Sequence, residues 1–146
     1  MRIQHQSCIQ NYANLFANLS PEKLIELEKM VSDDIVFSDP FNLTRGRDKF
    51  IRIFSHMFEV MNIPIFEILD VSYSDKVGYI KWRLTGDIKR WRSFSINITG
   101  ISEIVTDDHG KVTAHYDYWD SASQLLIFIP ILGASTRWLL KLFKLK

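Results

Sequence analysis

The segment HYDYWD, which runs from His115 to Asp120, decides how the second half of the chain is interpreted. The β-branched residues Val112 and Thr113 come just before it and favour a strand that continues into it. Side chains of a strand alternate between its two faces. One face carries His115, Asp117 and Trp119, and the other carries Tyr116, Tyr118 and Asp120. Each face therefore holds one carboxylate, and we expect Asp117 to point inward.

The residues before this segment alternate in the way that antiparallel strands do. IFEILDVSYS (65–74) and KVGYIKWRLTG (76–86) are separated by a hairpin-length gap at Asp75 and Lys76. RSFSINITGISEIV (92–105) is joined to KVTAHYDYWDS (111–121) by the turn TDDHG. The second half of the chain is thus predicted to form a sheet of successive hairpins.

The first half of the chain has helical spacing instead. The first helix has an apolar stripe of Ile9, Tyr12, Ala13 and Phe16. Ser20 and Pro21 suit the cap and the first position of a second helix, because proline has no amide hydrogen to lose there. The apolar residues that we expect this helix to turn toward the core are Leu24, Leu27 and Val31.

A short strand and a third helix complete this half. Ile35–Ser38 is predicted as a strand that ends at Asp39, because Pro40 cannot donate a hydrogen bond to a sheet. After the loop FNLTRG, apolar residues at helical spacing predict a helix from about Arg47 to Met61. The resulting fold class is α+β, with three N-terminal helices on one face of a curved sheet. We expect a domain over residues 1–124 and a helical extension over residues 125–146.

Composition argues for one domain and against nucleic acid as a partner. The chain has 146 residues, of which 47% are hydrophobic, and this is enough for a single core. Its formal net charge is +1, so the molecule has no strong field to attract a polyanion.

The cysteine and histidine residues predict neither a disulfide nor a metal site. Cys8 is the single cysteine, which fits a reducing compartment. The amino terminus has no apolar segment typical of a secretory signal, so we expect the cytoplasm. His5, His56 and His109 have no recognisable metal-ligand spacing. No glycine-rich phosphate loop occurs, and we expect no cofactor.

The order of these elements, with SDP after the first strand and DYWD in the last, resembles the nuclear transport factor 2-like superfamily. This superfamily includes SnoaL-like polyketide cyclases, ketosteroid isomerase and limonene-epoxide hydrolase. The resemblance covers roughly Tyr12 to Ser121. It implies a cone-shaped sheet with a pocket for a small apolar ligand, and a homodimer that pairs through the open face of the sheet.

The resemblance makes Asp117 the first catalytic candidate. Its position is similar to that of an acid–base aspartate in the last strand of the epoxide hydrolase. In that enzyme an arginine bridges this aspartate to a second one, and Arg83 has a plausible spacing for that role. The residue two positions further on is Thr85 and not a carboxylate. A structural ion pair between Arg83 and Asp117 is therefore an equal alternative.

Asp39 is the second candidate, because a similar aspartate after the first strand is the general base of ketosteroid isomerase. The alternative is that an aspartate before proline simply opens a turn. That isomerase also uses a first-helix tyrosine and a protonated acid on a middle strand. The matching positions here are Tyr12 and Ser102, and a hydroxyl stabilises an enolate less well than an acid does.

Other side chains are candidates for orientation or ligand contact. His115 shares a face with Asp117 and is suited to relay a proton, although a histidine packed in the wall is the alternative. The candidates for contact with an apolar ligand are Phe16, Trp82 and Trp119, for which core packing is the alternative.

The C-terminal segment Arg137–Lys146 has the composition of an interfacial helix. Its basic residues Arg137, Lys141 and Lys144 fall on one side, and Trp138 and leucines fall on the other. Such a helix lies in the headgroup region of an anionic membrane, here at its inner face. The alternative is a helix that closes the pocket or packs on a partner subunit.

These observations predict a pocket protein that acts on a small apolar molecule of polyketide, terpene, steroid or lipid type. The chemistry would be metal-free acid–base work of the isomerase or of the hydrolase and cyclase type, led by Asp117. The alternative is a non-catalytic binding protein or a membrane-associated accessory protein with the same fold.

Overall fold

The computed structural model describes residues 2–75, 77–90 and 94–145, so the expectations for Lys76, Arg92, Ser93 and Lys146 lie outside the described residues. The helices are α1 (Arg2–Ala17), α2 (Leu24–Met30), α3 (Arg47–Val60), α4 (Ser121–Gln124) and α5 (Leu132–Lys141), with 3₁₀ turns at Pro21–Lys23 and Leu126–Phe128. The strands are β1 (Val31–Ser38), β2 (Leu43–Arg45), β3 (Met61–Tyr73), β4 (Val77–Ile88), β5 (Ser95–Thr106) and β6 (Val112–Tyr118).

The strands form one mixed sheet in the order β2-β1-β6-β5-β4-β3. Strands β3 to β6 follow each other as antiparallel neighbours, as the hairpin pattern predicts. The pairing of β1 with β6 is parallel and sets Phe37 opposite His115 and Ser38 opposite Tyr116. The carboxyl ends of β1 and β6 therefore lie side by side, and Asp39 and Asp117 are brought to the same end of the sheet.

The core lies between the helices and one face of this sheet. The predicted apolar stripe of α1 is confirmed, since Ile9, Tyr12 and Ala13 are fully buried. From α3, Phe50 and Phe54 are buried against β1. The α+β class with helices gathered on one face of the sheet is confirmed.

Several boundaries differ from the sequence prediction. The helix expected to begin at Pro21 begins as a 3₁₀ turn, and Val31 lies in β1 and not on α2. Part of the loop FNLTRG pairs with β1 as the short strand β2. Strand β3 begins at Met61, before Pro64, and its pairing with β4 is irregular there. It tolerates this proline because it is an edge strand.

The helical extension expected after residue 124 is divided into the 3₁₀ turn Leu126–Phe128 and α5, and the short helix α4 comes just before it. Pro130 lies in the break, and Ile131 takes a φ of 70°, which no α-helix accommodates. The helix α5 packs mainly against the 3₁₀ turn Leu126–Phe128. In the described part of the chain, no helix combines the length and apolarity that crossing a bilayer requires.

Candidate active site

Asp117 lies near the end of β6 and is held by two side-chain donors. Its side chain is 15% exposed. Oδ1 accepts a hydrogen bond from Ser102 Oγ at 2.5 Å and is 2.8 Å from His115 Nε2. Both of these contacts end on the same oxygen. Within the described residues, Oδ2 is therefore the atom left to face a bound molecule.

His115 connects Asp117 to the first helix. The imidazole is 3% exposed, and its Nδ1 lies 2.8 Å from the hydroxyl of Tyr12. The network fits the tautomer that donates from Nε2 to Asp117 and accepts at Nδ1 from Tyr12. Aromatic rings surround the imidazole with centroid distances of 5.3 to 6.2 Å: Tyr12, Phe16, Phe37, Phe50 and Phe54. The ring is fixed by packing as well as by its two hydrogen bonds.

Ser102 is held from behind by Trp82. The indole Nε1–H donates to Ser102 Oγ at 2.8 Å, and both side chains are buried. Because the indole can only donate, the serine hydroxyl accepts from it and donates onward to Asp117. Gly100 makes room for the indole, since a Cβ there would lie 2.6 Å from Trp82 Cζ2. The donor that reaches Asp117 therefore has a fixed direction.

Tyr12 keeps its proton in this environment. Burial raises the pKa of the Tyr12 phenol well above its ordinary value, and the negative charges of Asp117 and then Cys8 raise it further. The phenol is consequently a lasting donor to His115. A continuous chain of hydrogen bonds runs from Tyr12 through His115 to Asp117, and a second runs from Trp82 through Ser102.

Two hollows meet at Asp117. The smaller has a volume of about 20 Å³, and Tyr12, Ser102, His115 and Asp117 are among the residues that line it. This volume is about that of one water molecule. The residues that complete its apolar wall are Phe16, Phe54, Phe66, Ile68, Ile80 and Trp82.

The larger hollow, called the main cavity below, has a volume of about 260 Å³. Most of its wall is apolar and comes from α3, from β3 to β5 and from the start of the C-terminal extension. The apolar lining residues are Phe37, Phe41, Ile53, Phe54, Met57, Val60, Met61, Phe66, Trp82, Leu84, Ile88, Ile96, Ile98, Trp119 and Leu125. The ionisable side chains in the wall are Asp39, His56 and Asp117. An apolar chamber with a few polar groups is typical of a small-molecule site.

Asp39 lines the main cavity but is held by its own turn. Its Oδ1 accepts from the backbone amides of Phe41 at 2.8 Å and Asn42 at 2.6 Å. The side chain of Asn42 donates to both oxygens, at 3.1 and 3.2 Å. This is the turn-opening role of an aspartate. Both oxygens of Asp39 are therefore hydrogen-bonded within its own turn, as the turn interpretation predicts. Catalysis by Asp39 stays a prediction.

Arg83 does not join the site. It lies 3.0 Å from Glu67 of the neighbouring strand, so the expected pair with Asp117 is replaced by Arg83–Glu67. The physical reason is strand alternation: Trp82 points inward, and its neighbour must point to the outer face. The remaining contact candidates do lie at the hollows, with Phe16 and Trp82 at the smaller one and Trp119 at the main cavity.

Some wall residues were missed from the sequence. Phe41, 5.6 Å from the Trp119 ring, directly follows the SDP motif and could have been found from that position. Leu125 was placed in the extension, yet it lines the main cavity. Across residues 2–75, 77–90 and 94–145, no group of three or more His, Cys, Asp and Glu side chains is placed to hold a metal ion.

The class of protein follows from the fold and the sequence together. The SnoaL-like domain profile matches residues 10–115, and the chain belongs to this family. This match runs from the second half of α1 through β1 to β5 and ends at His115, within β6. Solved structures with the nuclear transport factor 2-like and ketosteroid isomerase-like folds agree with it. No curated protein matches the chain at a significant level.

Three solved structures illustrate the similarity. An LEH-like epoxide hydrolase from M. tuberculosis is 14% identical, with a TM-score of 0.68 and 98% of each chain covered. A protein from Jannaschia sp. CCS1, provisionally assigned as a SnoaL-like polyketide cyclase, is 12% identical with a TM-score of 0.69; 84% of this chain and 89% of that chain are covered. A ketosteroid isomerase-like protein from Catenulispora acidiphila, in complex with trimethylamine, is 14% identical with a TM-score of 0.68; 81% and 88% are covered. At these identities the likeness shows the fold alone.

Proposed function

We propose that the protein is an acid–base enzyme of isomerase or cyclase type, and that it acts on a small, mostly apolar molecule held in the main cavity. Asp117 is the residue that takes up and returns the proton. One observation carries the proposal: Ser102 and His115 fix Oδ1 of Asp117 while the same carboxylate forms part of the wall of an apolar chamber of about 260 Å³.

The geometry suits a proton shuttle. With Oδ1 held by two donors, Oδ2 is the base that takes a proton from an acidic carbon of the ligand. The electrons of the broken C–H bond stay on the ligand as an enolate-type anion. The same oxygen then returns the proton to another position, so an isomerisation balances without an oxidant or reductant. Positioned acid–base groups of this kind contribute about 10²- to 10⁴-fold to a rate.

The placement of Arg83 favours this reaction type over epoxide hydrolysis. The hydrolase pattern needs an arginine between two carboxylates on the cavity side, and Arg83 pairs with Glu67 on the outer face. Position 85 carries a threonine. In this protein one carboxylate, that of Asp117, is hydrogen-bonded to Ser102 and His115, and His115 is hydrogen-bonded in turn to Tyr12.

The test uses 5-nitrobenzisoxazole, a small flat molecule whose isoxazole ring opens to a coloured phenolate when a base removes the proton on C3 and the N–O bond breaks. We expect the protein to open it faster than acetate does at equal concentration and pH. Asp117→Asn should lower the rate at least about 100-fold. The matched control is Asp120→Asn, because Asp120 is an exposed carboxylate three residues further on that caps α4, and asparagine caps equally well.

The outcomes separate the enzyme from the binding protein. Equal rates for the wild type, Asp117→Asn and Asp120→Asn would remove Asp117 from the mechanism. A wild type that is no faster than acetate would favour the non-catalytic binder. Circular dichroism and urea unfolding of each variant check that the fold is retained.

A further inference from the structure

The C-terminal extension exposes an unusual amount of apolar surface. Eight large apolar side chains are each more than half exposed: Phe128, Ile131, Leu132, Trp138, Leu139, Leu142, Phe143 and Leu145. Single exposed apolar residues are ordinary, but a contiguous group of this size marks an interaction surface. The group, called the C-terminal hook below, spans residues 126–145.

The hook is folded mainly on itself, since α5 packs chiefly against the 3₁₀ turn Leu126–Phe128. The amide of Gly133 donates to the Ile129 carbonyl at 2.6 Å, and Arg137 Nη1 donates to the Ile127 carbonyl at 2.6 Å. A Cβ on Gly133 would lie 2.2 Å from the Ile127 oxygen, so only glycine permits this close turn. The apolar side chains beyond this turn are therefore held in place while they remain uncovered.

Every charged residue of the hook is basic. Arg137 and Lys141 lie one turn apart on the same side of α5, and Lys144 follows in the turn just after the helix. No acidic residue follows Asp120 in the sequence. The apolar residues Trp138, Leu139, Leu142 and Phe143 occupy the wide remaining arc.

We propose that the hook docks on the surface of an anionic phospholipid bilayer, with its apolar arc among the upper acyl chains and its three cations at the headgroups. Ten helical residues span only about 15 Å, so α5 lies in the plane of the membrane. A wide apolar arc matches a continuous apolar medium, whereas a protein groove selects a narrow stripe. A dimer formed through two hooks is disfavoured, because it would bring six cations together and neither hook has an acidic residue to balance them.

The docked hook would bring the main cavity to the membrane. Gln124 holds the start of the extension on β5 through hydrogen bonds with the Thr99 amide at 2.7 Å and its carbonyl at 3.0 Å. Leu125, the next residue, lines the main cavity. An apolar molecule dissolved in the bilayer would then have a short route to Asp117, although docking itself does not depend on the proposed chemistry.

The test measures how much of the full chain pellets with vesicles. We expect binding to vesicles of phosphatidylcholine with 30% phosphatidylglycerol, weak binding to phosphatidylcholine alone, and release by high salt. Replacing both Lys141 and Lys144 by glutamine should lower the partition coefficient roughly 10- to 30-fold. The matched control replaces Lys49 and Lys81, two exposed lysines on α3 and β4, by glutamine and should bind like the wild type.

A second variant tests the apolar arc. Replacing Leu142 and Phe143 by serine should also abolish binding to the anionic vesicles, and an unchanged urea unfolding midpoint shows that the domain is intact. The proposal is overturned if the wild type stays in the supernatant, or if it binds both vesicle types equally. It is equally overturned if size-exclusion chromatography shows a dimer that this serine variant dissolves while the wild type ignores vesicles.

Discussion

Asp117 and Asp39 line the same cavity, but the chain holds them in opposite ways. Asp117 is bound by side chains of two paired strands, by Ser102 opposite it on β5 and by His115 two residues before it on β6. Asp39 is bound by two residues of its own loop, Phe41 and Asn42. The carboxylate of Asp117 is fixed by a buried network of polar side chains. The carboxylate of Asp39 stabilises a turn.

This difference distinguishes an aspartate that we propose to be catalytic, Asp117, from one that stabilises a turn, Asp39. A local turn requires only that the carboxylate accept amide hydrogens, so it satisfies Asp39 without reference to a ligand. The network around Asp117 places polar groups where apolar packing would be simpler, and such groups are tolerated only when each one is satisfied. We therefore expect the two aspartates to respond differently to substitution.

The largest effect on stability is expected for His115→Ala, which disrupts the network that holds Asp117. The change removes an aromatic ring from a packed cluster and leaves the Tyr12 hydroxyl without a partner. The free energy of unfolding in urea should fall by about 3 to 5 kcal/mol. His109→Ala, at an exposed turn, is the control and should change it by less than about 0.5 kcal/mol. A loss of under 1 kcal/mol at His115 would contradict the view that this network is part of the core.

A smaller effect is expected for Asp39→Ala. Removing the acceptor leaves the Phe41 and Asn42 amides without their partner, so the free energy of unfolding should fall by about 1 to 2 kcal/mol. Asp39→Asn keeps one acceptor oxygen and should recover part of that loss. Both variants should open 5-nitrobenzisoxazole at nearly the wild-type rate. A tenfold or greater loss of rate in Asp39→Asn would show that both carboxylates take part in the chemistry.

The smallest effect is a pH dependence at Tyr12. Because its pKa is raised in the folded state, the phenol contributes stability that is complete below its unfolded pKa of about 10 and is lost as the pH rises toward the folded value. Between pH 8 and pH 11, wild-type stability should fall by about 1 kcal/mol more than that of Tyr12→Phe. Tyr79→Phe, at a partly exposed tyrosine, should follow the wild type. Parallel curves for all three proteins would show that Tyr12 does not titrate as described.

The sequence was informative where a pattern is local. Helical spacing in α1 and strand alternation around Asp117 each depend on residues within a few positions of each other, and the structure confirms both. Tyr12 and Ser102 were suggested as site residues by the family resemblance, and His115 by the strand face that it shares with Asp117. Their roles in catalysis stay predictions.

The sequence was uninformative where register decides the contact. Arg83 was assigned to the site from the resemblance to the epoxide hydrolase and a plausible spacing, and a shift of one position along a strand moves a side chain to the other face. The bond between Trp82 and Ser102 depends on the pairing of β4 with β5, in which Trp82 is opposite Gly100. The short strand β2 has too few residues for a recognisable pattern, and only its pairing with β1 defines it.

The parallel pairing of β1 with β6 has a consequence for how the chain reaches its native state. The hairpins β3–β4 and β4–β5 join neighbouring segments, but β1 meets β6 across about half the chain length. Closing so long a loop is entropically costly and slow. A nascent or partly refolded chain can therefore have most of its sheet while the side of the main cavity that Phe37 and Asp39 form is still unassembled, and its strand content then overstates how far the cavity has formed.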